Sequence, residues 1–78
     1  MVMERSARED VREVLRRFGI GSARRASTTD ATEEVILLAP ADAEVIDADE
    51  LTLALMNVLP HKKVWVTADG PRWTSEEL

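Results

Sequence analysis

Between Val35 and Thr67 the chain carries a strand pattern, a helix pattern and a second strand pattern in immediate succession, and few folds accept that order. Val35-Ile-Leu-Leu-Ala39 is a continuous apolar run stopped by Pro40, as expected of a strand covered on both faces or lying centrally in a small sheet. Leu51, Leu55, Val58 and Leu59 then recur at helical spacing and predict a helix from about Ala48 to Leu59. Asp47 is its cap, Glu50 stands at its third position, Ile46 is placed to staple against Leu51, and Pro60 stops it. Lys63-Val-Trp-Val-Thr67 follows as a strand. Together these make a βαβ unit, and if its two strands share a sheet in parallel the crossover is right-handed.

The flanks extend this unit on both sides. Ala7, Val11, Val14, Leu15 and Phe18 form one stripe, predicting an amphipathic helix over 7–18. Ser6 and Glu9 suit a capping box at its start, and Gly19 suits the left-handed position at its end. On its outward face Glu9 can reach Arg12, and Glu13 can reach Arg16 or Arg17. Segment 20–32 is polar and aperiodic, reading as a loop or an irregular edge strand. Asp69-Gly70-Pro71 is a turn, after which Trp73, Thr74, Glu77 and Leu78 reproduce the staple and capping box of a helix start. Residues 74–78 then either dock as one helical turn or fray. The fold class expected is a two-layer α/β (α+β) sandwich, ordered α, an optional β, β, α, β, with a small, partly parallel sheet in a single domain over 1–78.

At 78 residues the chain is near the size at which one core suffices without disulfides or metal, so self-association would help it. Cysteine is absent, which removes disulfides, thiolate zinc sites and thiol nucleophiles. No apolar run has the length of a membrane span, and the first residues lack the apolar core of a leader. A cytoplasmic protein is expected. Charge is split along the chain: residues 1–30 hold seven Arg against five acids, and residues 31–78 hold three cations against ten acids. Such a dipole favours oriented association with a charged partner or another copy of the chain.

Asp42, Glu44, Asp47, Asp49 and Glu50 lie between a strand end and a helix start, where carboxylates can hold Mg²⁺. Their spacing lacks the Gly and terminal Glu of a calcium loop, so capping and solvation account for them better. His61 is the only imidazole, beside Lys62 and Lys63, and no nucleophile elbow surrounds any serine. Arg24-Arg25-Ala26-Ser27 matches a basophilic kinase site on a mobile loop.

Alternation along 63–67 sends Val64 and Val66 to one face and Lys63, Trp65 and Thr67 to the other. If both helices share one side, Trp65 is left on an open sheet face; if helix 7–18 covers the second face, Trp65 is core. The function expected is a small non-enzymatic protein-interaction module whose partner is another protein or a second copy in a homodimer. Its contact residues would be Trp65, Trp73, Lys63, Asp42, Glu44 and Asp49, with no cofactor or metal. The alternative is a nucleic-acid-binding module using Arg12, Arg16, Arg24 and Arg25, since guanidinium groups neutralise phosphates and read guanine edges.

Overall fold

The computed structural model describes residues 5–78, with side chains from Ala7 onward; the side chain of Ser6, the expected cap, lies outside the described ones. The elements are α1 (Arg5–Arg17), β1 (Ala23–Ala26), β2 (Glu33–Leu38), α2 (Pro40–Val45), α3 (Ala48–Val58), β3 (Lys63–Ala68) and β4 (Ser75–Glu77). They form a four-stranded mixed sheet in the order β3-β2-β1-β4. β2 and β3 are parallel, and β1 runs antiparallel to both of its neighbours. The two-layer α/β architecture and the β2–α3–β3 unit are those expected.

Period-two alternation decides which face carries the helices. Register places Ile36 beside Val66, Glu34 beside Val64 and Leu38 beside Ala68, so these side chains share one face. Ile36, Leu38 and Val64 join Val11, Val14, Leu15, Leu51, Leu55 and Leu59 in a single core cluster. Both long helices therefore lie on the same side of the sheet. The Asp47 carboxylate accepts the Asp49 and Glu50 N–H groups, each at 3.1 Å, as the cap of α3. Gly19 takes a positive φ of 78° at the end of α1, a conformation that a side chain would disfavour.

No helix among the described residues lies on the opposite face, yet Leu37 on it is 0% exposed and Ala26 3%. β3 and β4 occupy opposite edges of the sheet, so connection 69–74 must pass β2 and β1. With α3 on one face in a right-handed β2–β3 crossover, a right-handed return across the sheet runs over the other face. The short stretch from Asp69 to Thr74 is the segment available to cover Leu37 and Ala26. It turns at Gly70-Pro71-Arg72-Trp73, where the Trp73 N–H meets the Gly70 carbonyl at 3.1 Å.

Four expectations are corrected. Within segment 20–32 the optional strand forms as β1 over residues 23–26, and it is interior to the sheet where an edge strand was expected. Ser75–Glu77 is strand β4, paired to β1 through Ala26, Arg25 and Arg24, where a helix start or a frayed tail was expected. The acidic residues Asp42 and Glu44 belong to α2, because Pro40 both ends β2 and occupies the first helical position, where its missing N–H costs nothing. Residues 24–26 are paired in the sheet and the Ser27 N–H bonds the Thr74 carbonyl at 2.7 Å, so the kinase-like motif is not a mobile loop.

Candidate interaction surface

Three neighbouring residues build the surface around β3. Lys63, Trp65 and Thr67 point away from the helices, in register with Glu33, Val35 and Leu37 of β2. Trp65 is 46% exposed, a large apolar side chain half in water on a strand with no outer neighbour among the described residues. The expectation that α1 could cover this face and make Trp65 core is overturned, because the α1 stripe is spent on the face of Ile36 and Leu38. Trp73 is half-buried in the connection that crosses the same face, with the Arg72 guanidinium 5.4 Å from its ring centroid, within cation–π range.

Asp42, Glu44 and Asp49 lie elsewhere. Ala43 and Ile46 pack α2 against the helix-side core, so Asp42 and Glu44 belong to the helical layer. Asp49 sits exposed in the first turn of α3. Asp42, Asp47 and Glu50 border a cavity of about 190 Å³ beside Phe18 and Ile20. Among the described residues, no group of three or more His, Cys, Asp or Glu side chains could hold a metal ion. His61 is exposed in the turn before β3. The Ser75 hydroxyl accepts from Arg24 Nε at 2.7 Å.

The arginines divide in the same way. Arg12, Arg16 and Arg24 line one cleft of about 400 Å³ together with Ser22 and Glu77. Arg16 donates to Glu13 at 2.6 Å, Arg24 stands 3.8 Å from Glu77, and Arg12 makes no ion pair among the described residues. Arg25 leaves this group. Its register with Ile36 puts it on the helix side, where Nε donates to Glu34 Oε2, Nη2 donates to Glu34 Oε1 at 3.3 Å and Nη1 to Glu76 at 3.0 Å. The Glu34 hydrogen bond raises the Arg25 pKa, against the opposing effect of burial.

Glu34 is the residue that sequence reasoning missed. It is 0% exposed and also accepts from Lys62 Nζ at 3.0 Å. A carboxylate in a core is tolerated only when its lone pairs are met by charged donors, and here two cations meet it. The only signal in sequence was its parity with Ile36 and Leu38. Arg8, 3.7 Å from Glu76, adds a further link. The basic front of the chain is therefore joined to the acidic back by Arg8, Arg24 and Arg25, so part of the charge split is consumed inside the fold.

No protein-family model matches the chain, and comparison with curated proteins and with solved structures finds no match. Among the described residues, no helix is long and apolar enough to cross a membrane.

Proposed function

We propose that this chain is a small non-enzymatic protein-interaction module that associates with a second copy of itself through the Trp65 side of its sheet. The observation that carries the reading is the 46% exposure of Trp65 on a strand whose outer edge has no neighbour among the described residues. A tryptophan removes a large apolar area from water on binding and loses little side-chain entropy, which is why such residues anchor interfaces. Lys63 stands two residues away on the same face, and the arrangement fits an aromatic centre with a charged rim. Arg12, Arg16 and Arg17 on α1 and the acids of α2 and α3 keep the outer surface polarised, which favours one orientation of approach. The expected acidic contacts Asp42, Glu44 and Asp49 serve that steering role and are not neighbours of Trp65. A cytoplasmic location remains part of the proposal.

Sedimentation equilibrium of the wild type and Trp65→Ala tests it. The wild type should sediment as a dimer and Trp65→Ala as a folded monomer with unchanged far-UV circular dichroism. A wild type that stays monomeric at high concentration contradicts the reading.

One observation favours a second reading. Arg12, Arg16 and Arg24 share a cleft, so three of the four arginines expected to meet nucleic acid are brought together. Duplex and single-stranded oligonucleotides titrated at low salt decide this, since phosphate contacts are strongest there. Binding that weakens steeply with salt and is lost in the double variant R12E/R16E would promote it.

A further inference from the structure

The backbone of β3 adds a second layer to this surface. The Lys63 N–H bonds the Thr32 carbonyl at 2.8 Å and the Asp69 N–H bonds the Leu38 carbonyl at 2.7 Å. In a parallel ladder that phase turns the N–H and C=O groups of Lys63, Trp65 and Thr67 toward β2. It turns those of Val64, Val66 and Ala68 outward, where the sheet has no further strand among the described residues. An edge of this kind is a template for pairing with another strand. No proline or bulge interrupts β3.

Resting on the self-association proposed above, we infer that two copies pair their β3 strands antiparallel across a two-fold axis at Val66, joining the two sheets edge to edge. Three features select the second copy and this register. First, an antiparallel pair centred on Val66 opposes Val66 to Val66, and Val64 to Ala68, so every outward N–H and C=O in the strand finds a partner. A two-residue slip in either direction leaves some of these groups without an opposite number. Second, the same register sets Lys63 of one copy opposite Asp69 of the other, one residue past the end of β3 and with one carboxylate oxygen accepting the Gly70 N–H at 2.8 Å, twice by symmetry, so the segment 63–69 is complementary in charge to its own reverse. Third, Trp65 then opposes Thr67 and lies diagonal to the other Trp65 on the same face, a separation of about 7–8 Å that aromatic side chains span. The contact is isologous, as closed two-fold dimers require.

The charge pair supplies a test that only this register passes. Within one chain Lys63 and Asp69 are roughly 20 Å apart along the strand, beyond a Debye length of about 8 Å at physiological ionic strength, so they do not compensate one another in cis. Sedimentation equilibrium of the wild type, K63D, D69K and K63D/D69K measures the coupling. Each single variant turns two attractive contacts repulsive and should weaken the dimer on the order of tenfold. The double variant restores opposite charge in trans and should return the dissociation constant to near the wild-type value. V66P is a second probe, since it removes an outward N–H that β2 does not use, and it should give a folded monomer. A dimer that Trp65→Ala dissociates, but whose double variant is as weak as the product of the two singles, overturns the register and leaves self-association standing. A folded V66P that still dimerises overturns edge pairing in the same way. A monomeric wild type overturns both proposals, including the case in which the edge binds a foreign strand.

Discussion

The two edges of this sheet are finished in opposite ways. β4 is three residues long, Ser75-Glu76-Glu77, and is clamped from β1 by Arg24 on Ser75 and Arg25 on Glu76. β3 is six residues long and mostly apolar, with no further strand beyond it among the described residues and Trp65 on its open face. A short, charged edge is a poor template for further pairing, and a long apolar one is a good one. The same sheet thus closes itself on one side with side-chain charge and leaves the other side for a strand. Charge separated along the sequence becomes charge joined across the sheet at one edge, and only the remainder is displayed.

Breaking the closed edge has the largest expected effect. Arg25→Met strips Glu34 of both hydrogen bonds from the guanidinium and leaves a buried carboxylate supported by Lys62, at a cost of about 3–5 kcal/mol. A small domain has stability on the order of 5–15 kcal/mol, so the urea midpoint should fall by a large fraction. Arg25→Met combined with Glu34→Leu should recover most of that loss, because the uncompensated charge is gone.

The open edge should respond in the reverse sense. Trp65→Ala is expected to shift the urea midpoint little under monomeric conditions, yet to cost about 2 kcal/mol or more in dimer stability, as removal of a central interface tryptophan does. Light scattering across a dilution series reads the second quantity separately from the first.

At the rim of the closed edge, Glu77→Ala removes only the exposed Arg24 contact at 3.8 Å, so its expected cost is below about 0.5 kcal/mol by denaturation. The smallest effect belongs to the turn between β1 and β2. The Thr32 hydroxyl and backbone N–H both donate to Asp30, and they hold its carboxyl below the usual range. A carboxyl with a depressed folded pKa contributes stability above its unfolded pKa and loses it as pH falls through the folded value. The difference in thermal midpoint between wild type and Asp30→Ala should therefore be present at neutral pH and vanish in strong acid.

The helices and the central strands were legible because each is specified by its own side chains. Val11, Val14 and Leu15 repeat at helical spacing, Asp47 caps α3 directly, and the runs after Val35 and Lys63 are apolar enough to declare strands. The elements that escaped notice are specified from a distance. Ala23-Arg-Arg-Ala26 has no strand pattern; inside the sheet Arg25 meets Glu34 of the next strand and Glu76 far along the chain. Ser75-Glu-Glu77 reads locally as a helix start, and pairing with β1 outweighs that weak propensity. α2 was hidden because one proline does two jobs. At the candidate surface, alternation identified the Trp65 face correctly but left open whether a helix would cover it. It gave no sign of the phase of the outward hydrogen-bonding groups, which follows only from the register with β2.

Amide hydrogen exchange along β3, followed by NMR as a function of protein concentration, tests the open edge most directly. If two copies pair there, the amides of Val64, Val66 and Ala68 should be protected and should gain protection as concentration rises, while Trp65 and Thr67 stay protected throughout by β2. Free exchange at Val64, Val66 and Ala68 at every concentration, beside slow exchange at Trp65 and Thr67, would contradict the account.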